Sequence, residues 1–236
     1  MGHSRPAGVQ HSRLVERLTK LSEIVVPEIL FENTAAVVVN KPAGLPVYPG
    51  RAGGASIEDF FPLWQRGRQG PWAVHRLDQD TAGCLLIARK KSFLLEAQAA
   101  MAAGGAEKLY WALLRGVPDS VQGCIDAPLA KVTQGRRWRM TVAAHGAPAR
   151  SLWRVMGVCE GHALVEFTLL TGRTHQIRAH AAHLGCPVRG DPVYGDGKGM
   201  MCLLARSLSL PMAEPVAAIA PVPAHMREAV QLCLGI

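Results

Sequence analysis

The segment VHRLDQDTAGCLLIARK, Val74 to Lys90, sets Arg76 two residues before Asp78 and a second carboxylate, Asp80, two residues after it, just ahead of an apolar run. A carboxylate in a turn between a short strand, AVHRL, and a buried one, CLLIAR, is held rigidly yet reaches a cleft, where it can act as nucleophile or base. The same residues suit an Asx turn, in which Asp78 or Asp80 bonds nearby amides and Thr81 and Gly83 complete the loop. Taken alone, HRLD favours the turn. A second constellation, LLTGRTHQIRAHAAHLG from Leu169 to Gly185, places Arg173, His175, Arg178, His180 and His183 on or just before one short helix. The three histidines are five and three residues apart. The i, i+4 pair that lets two imidazoles share a metal is therefore missing, and packed or solvated histidines fit better than zinc ligands. Arg178, among alanines, has room to pair with a carboxylate and so keep it ionised. Tyr110 in KLYWALLRG is either a core aromatic on a strand or a phenol lining a cleft, where it could stack on a base or hydrogen-bond it.

Other motifs fail. GDPVYGDGKG lacks the GxxxxGK[ST] spacing that cradles phosphates, and neither a GxSxG elbow nor a GxGxxG after a strand occurs. Basic residues gather at Arg66 and Arg68, at Lys90 and Lys91, and at Arg136, Arg137 and Arg139 around Trp138. The last group mixes cations with an aromatic, as nucleic-acid surfaces do, and fits a solvated hairpin tip equally well.

The elements that must position these side chains are short. ILFEN and AAVVVN read as paired strands, and KPAGLPVYPGRAGG, crowded with Gly and Pro, as a loop. SIED at Ser56 is a capping-box pattern opening a helix with Ile57, Phe60, Phe61 and Trp64 on one face. CLLIAR reads as a buried strand, Ser92 as the cap of a helix stopped by Gly104 and Gly105, and EKLYWALLRG as a strand with both faces occupied. Further short strands are expected between residues 121 and 170. A helix from Thr174 to Leu184 should be capped by Thr174 and ended by Gly185, and a strand at MCLLARSLSL and a helix at AHMREAVQLCL close the chain. Many short strands without βαβ alternation indicate an α+β fold, one domain with a mainly antiparallel sheet flanked by helices. Residues 1–13 read as a basic arm, and Leu14, Leu18 and Leu21 mark a short amphipathic helix.

The 236 residues suffice for a sizeable core, and a hydrophobic fraction of 49% with 19% charged residues describes a folded protein. Lys and Arg exceed Asp and Glu by 26 to 18, which makes a polyanionic partner plausible beside the plainer reading of a solvated basic surface. Six scattered cysteines without a CxxC pair are expected to be free thiols in a reducing compartment. The N-terminus lacks the apolar core of a signal peptide, and no apolar run approaches the length of a membrane span, so a cytoplasmic location is expected.

Together the segments VVVNKPAGLPVYPG, HRLDQDTAGCLLIARK, EKLYWALLRG, LLTGRTHQIRAHAAHLGCPVRGDPVYG and CLLARSLSL, in this order, resemble the successive motifs of the RluA-type pseudouridine synthases, which act on ribosomal and transfer RNA. The resemblance runs over roughly residues 28–225. It implies an α+β domain with a cleft across its sheet, Asp78 as catalytic aspartate, Tyr110 as active-site tyrosine and Arg178 as the arginine that pairs with the aspartate. His75, Arg76, Lys108, Arg173 and His175 are the expected RNA contacts. Ala82, Tyr48 and Leu204 depart from the Ser, His and His common in the family, which bears on substrate choice more than on activity. The expected layout is an arm and short helix over 1–27 and a catalytic domain over 28–236, with no separate N-terminal RNA-binding domain.

The implied reaction isomerises a uridine within RNA, so neither cofactor nor metal is expected, the partner is RNA rather than a membrane, and a monomer would suffice. Two rival readings are a non-catalytic RNA-binding module of the same fold and a glycoside hydrolase using Asp78 and Asp80 as an acid and base pair.

Overall fold

The computed structural model describes residues 25–50, 53–135 and 137–236, so the expected arm and its helix at Leu14, Leu18 and Leu21 lie outside the described residues. ILFE and AVVVNK form antiparallel strands β1 (Ile29–Glu32) and β2 (Ala36–Lys41), joined by a turn in which the Asn33 carboxamide oxygen accepts the Ala35 and Ala36 amides. A 3-10 turn over Ile57–Phe60 runs into the one-turn helix α1 (Phe61–Trp64). Its Asp59 carboxylate accepts the Ser56 amide at 2.8 Å, while Ile57, Phe60, Phe61 and Trp64 turn into the core. Strands β3 (Trp72–Ala73) and β4 (Ala82–Ala88) follow, then helix α2 (Lys91–Ala102) and strand β5 (Glu107–Arg115). Next come β6 (Gln122–Asp126), β7 (Leu129–Gln134), β8 (Arg137–Val142), β9 (Arg150–Cys159) and β10 (His162–Leu169). Helix α3 (Gln176–His183), strands β11 (Leu203–Leu210) and β12 (Val216–Ile219), and helix α4 (Ala224–Leu234) complete the order.

Ten strands form one sheet, with the path β1-β2-β4-β11-β5-β10-β9-β6 and with β12 on β11 and β3 on β4. All its pairs are antiparallel except β4 with β11, and β7 and β8 form a separate hairpin. This is the expected α+β architecture. Apolar side chains fill both faces: Val37, Leu85 and Leu114 pack with α1 and with Ile177 of α3, whereas Val38, Leu86 and Leu164 pack with Phe93 of α2 and Met226 of α4. Strand β4 is buried along its whole length, which is why CLLIA is a continuous apolar run rather than an alternating one. At its start Gly83 has φ +107°, and a Cβ there would collide with the Ala205 carbonyl. Only glycine lets β4 leave the HRLD turn and pair at once with β11.

Three expectations need correction. Helix α2 begins at Lys91 with Lys90 at its N-cap, so Ser92 lies inside the first turn and does not cap it. Helix α3 begins at Gln176, not Thr174: the Gln176 side-chain oxygen reaches back to accept the Arg173 amide at 2.9 Å and the Thr171 hydroxyl at 2.7 Å, which closes the turn before the helix, and the expected Thr174 cap bond is not made. His175 takes the N-cap in the left-handed region, φ 55°. Finally, the cysteines are not all free: Cys159 at the end of β9 is disulfide-bonded to Cys233 in α4, because that helix packs along β9 and brings the two Cα atoms to 4.8 Å. Cys84, Cys124, Cys186 and Cys202 are free thiols. Among the described residues no helix is long and apolar enough to cross a membrane.

Candidate active site

The HRLD turn is closed by main chain, the Thr81 amide donating to the Asp78 carbonyl at 3.2 Å. Its carboxylate is therefore left over from turn-making, and Asp78 Oδ2 accepts from Arg178 Nη1 at 3.0 Å. The sequence left open whether this segment is a site or a turn, and the geometry makes it a turn that presents a carboxylate. The Asp78 side chain is 19% exposed and Arg178, one hundred residues away in sequence, 5%.

Arg178 is held from its other edge by a residue the sequence reading passed over. Asp191, fully buried, accepts Arg178 Nε at 2.7 Å and Nη2 at 2.9 Å, a bidentate pair that fixes the guanidinium plane and aims Nη1 at Asp78. Asp191 also accepts the Val193 and Tyr194 amides, the Asx-turn habit of an Asp before Pro. The Asp-Pro pair within GDPVYG is the turn signal that marks it. Burial works against charge on Arg178, but the bonds to Asp191 and Asp78 outweigh it and hold the guanidinium above its ordinary value. Burial likewise opposes the Asp191 charge, and Arg178 with the two amides keeps that carboxyl below its usual range.

Tyr194 ties this pair to the β7–β8 hairpin. Its hydroxyl accepts the Met140 amide at 2.8 Å and lies 3.2 Å from His175 Nδ1, to which it is placed to donate. The other ring nitrogen, His175 Nε2, lies 3.8 Å from Asp78 Oδ2. The His175 ring stacks on Trp138 of β8, centroids 4.8 Å apart. Within GRRWRM, therefore, Trp138 faces the site, and strand alternation sends Arg137 and Arg139 to the other side of the hairpin.

Lys41, the last residue of β2, is the second group the sequence did not single out. It is fully buried, and its ammonium donates to the carbonyls of Pro42, Leu45 and Gln79 at 2.8, 2.7 and 2.8 Å. Three protons find three acceptors, and the loop after β2 is thereby tied to the residue next to Asp78. Burial pulls this lysine down to about 7, against the charges of Asp80 and Asp78.

Beside Asp78 opens a cavity of about 390 Å³, lined among others by His75, Arg76, Lys108, Tyr110 and Arg173. Its size suits a small organic ligand. Tyr110 comes from the centre of β5, buried, with its phenol pushed well up by burial and then by the Asp78 charge, so it stays protonated. His75 lines the wall while its Nε2 accepts the Leu86 amide at 3.1 Å. Burial, then Lys108, pull that imidazole down to about 4, so it is neutral. Burial also lowers Lys108. Arg76 is exposed and makes no ion pair among the described residues, and Arg173 spends its Nε on the Pro148 carbonyl at 2.9 Å. Every candidate residue thus borders the same region, His175 and Arg178 from the far side of Asp78.

His180 and His183 stand apart. His180 is fully buried between Ser151 Oγ at 2.9 Å and the Ala127 carbonyl at 3.0 Å, fastening α3 to β9. Among the described residues no group of three or more His, Cys, Asp or Glu side chains could hold a metal ion.

Comparison with known proteins identifies the family and the fold. Residues 35–183 match the sequence family described as RNA pseudouridylate synthase. An uncharacterized RNA pseudouridine synthase of Zymomonas mobilis is 41% identical over 209 residues, covering 85% of this chain and 95% of that protein. The ribosomal large subunit pseudouridine synthase D of Nitrosomonas europaea is 36% identical over 180 residues, 74% of this chain and 51% of that protein. In fold, the human RNA pseudouridylate synthase domain containing 4 superposes with a TM-score of 0.74 at 24% identity, covering 96% of this chain and 97% of that one.

Proposed function

The chain belongs to the RNA pseudouridylate synthase family, an isomerase family, and from that premise we propose that it converts uridines of ribosomal or transfer RNA to pseudouridine with Asp78 as the catalytic carboxylate. The observation that carries the assignment is Asp78 Oδ2, paired at 3.0 Å with Arg178 and bordering the same cavity as Tyr110. In this reading the C–N glycosidic bond of the target breaks, the uracil turns, and its C5 joins C1′ of the ribose. Asp78 either attacks C1′ or assists proton removal at C2′. Arg178 keeps the carboxylate in place and charged. Tyr110, a protonated phenol, packs against the base and donates a hydrogen bond, and it does not act as a phenolate base. The step balances without an oxidant, reductant or group carrier: C5 gives up its proton to water as it joins C1′, and N1, freed from C1′, takes one up, so residues 28–236 need no cofactor for the chemistry. Arg76, Lys108 and Arg173 meet the RNA backbone around the cavity, His75 forms part of its wall, and His175 meets the RNA from the far side of Asp78. The contacts repay the few kcal/mol needed to flip the uridine out of its stack.

A glycoside hydrolase using Asp78 and Asp80 together is disfavoured: the two carboxylates sit two residues apart in one turn on the outer cavity, where they do not face one another across a substrate, and Asp80 does not border the cavity that holds Tyr110. Replacing Asp78 by Asn keeps the shape and removes the charge. Tritium release from RNA labelled at uridine C5 should then vanish while RNA binding persists within a few fold. Turnover by Asp78→Asn would remove Asp78 from this role, and binding without turnover by the unaltered chain would favour an RNA-binding module.

A further inference from the structure

On the other side of Arg76 and Asp78 lies a second cavity, of about 770 Å³, roughly twice the volume of the one that holds Tyr110. The two share Arg76 and Asp78 as lining residues, so they adjoin at the carboxylate. The outer cavity is walled by the Gly- and Pro-rich segment after β2, carrying Tyr48, and by Trp138 and His175 at the hairpin. Tyr48 is 46% exposed and Trp138 40%, an unusual exposure for two large aromatics bordering one hollow. Their backing is rigid. Trp138 is stacked on His175 and has Lys131 Nζ 4.7 Å from its ring centroid, while the loop bearing Tyr48 is anchored by Lys41 and by the Ile57 and Glu58 amides, which donate to Pro46 and Val47.

Exposed aromatics in a hollow that also carries Arg76 and adjoins a nucleotide-sized cavity are the arrangement that stacks a nucleobase without reading its identity. We propose that the outer cavity is a second nucleotide site, taking the base next to the target uridine in the RNA chain with Tyr48 as its stacking platform and Trp138 as the opposing wall. This rests on the reading of the inner cavity as the uridine site. Tyr48 is a binding residue here, and the requirement is for its ring rather than its hydroxyl. The site adds affinity for single-stranded neighbours and places the target base relative to Asp78 without entering the chemistry.

Anisotropy titration of the full chain with a labelled heptauridylate tests this directly. Tyr48→Ala should weaken binding roughly tenfold, the scale of one lost base stack, while Tyr48→Phe and Tyr48→Trp keep it. On a heptamer whose residues flanking the central uridine are abasic, the unaltered chain should already bind about tenfold more weakly, and Tyr48→Ala should add nothing. Equal affinities of the unaltered and Tyr48→Ala chains for heptauridylate would overturn the proposal, as would an additive loss on the abasic probe or no binding of heptauridylate at all. Tritium release by the unaltered chain is measured in parallel. Its absence would sink the isomerase assignment, whereas the titrations decide the second site whether or not turnover occurs.

Discussion

Arg178 serves two carboxylates that are unequal. Asp78 is partly open to water and would survive the loss of its partner as a solvated ion, whereas Asp191 has no exposure and takes two of its bonds from Arg178. Arg178→Ala should therefore destabilise the fold chiefly through Asp191, by about 3–5 kcal/mol, the cost of breaking a buried pair from one side. In a chain of this length that is a drop in melting temperature of roughly 10 °C. Activity should fall even where the variant is still folded, and Arg178→Lys should not rescue it, because an ammonium cannot span both carboxylates. A melting temperature unchanged in Arg178→Ala would show that Asp191 is satisfied otherwise. Lys41 poses the complementary problem, one cation for three carbonyls. Lys41→Met keeps the bulk and takes the ammonium from the Pro42 and Leu45 carbonyls, each costing about 1–3 kcal/mol if left dry, while the Gln79 carbonyl keeps the Gly44 amide at 2.9 Å. We expect lower thermal stability together with reduced tritium release, since one of the two links from the loop to Gln79 beside Asp78 is cut. Full activity in a folded Lys41→Met chain would limit the lysine to a role remote from the site.

At the scale of elements, α4 is fastened to the sheet at β9 by two devices. Gly157 admits the Cys233 backbone so closely that a Cβ would collide with its carbonyl, and the Cys159–Cys233 bond closes a sequence separation of 74 residues. Cys159→Ser should lower stability by about 2–4 kcal/mol, measured by denaturant unfolding without reductant, and leave tritium release intact because α4 packs on the face that bears α2 rather than Tyr110. Equal unfolding midpoints for the two chains would show that the bond contributes nothing. None of this fastening was legible in the sequence, where Cys159 and Cys233 are only two scattered thiols. The strands were legible, because AAVVVN, CLLIAR and EKLYWALLRG are apolar runs bounded by Gly, Pro or charge, and such local contrasts survive in one dimension. The start of α3 was not, because Gln176 folds its own side chain back to close the preceding turn at Arg173, so that His175 rather than Thr174 stands at the N-cap. Asp78, Tyr110 and Arg178 lie in spaced motifs that stand out in one dimension, but nothing in the sequence marks Lys41 or Asp191 as charges that the fold buries. What the sequence withholds is which charges are dry.

For the whole molecule, dry titratable groups set the response to acid. The chain carries a formal charge of +8 with its histidines neutral, and burial is the first cause lowering His75, His175 and His180 alike, His75 to about 4. In the unfolded chain each returns to an ordinary imidazole near 6.5. Between pH 6.5 and about 4 the unfolded state takes up protons that the fold refuses, so the stability contributed by these neutral rings is fully present above pH 6.5 and is lost as the pH falls through that window. The added positive charge acts in the same direction, since the excess of basic groups repels itself within the compact state. Melting temperature should consequently decline by several degrees from pH 7 to pH 5, before the carboxylates titrate. His75→Gln offers the Leu86 amide an acceptor that does not titrate and should flatten part of that decline. A profile level between pH 7 and 5, or one whose slope His75→Gln leaves untouched, would mean that these imidazoles accept protons in the fold and that the cavity wall beside Asp78 becomes cationic in mild acid.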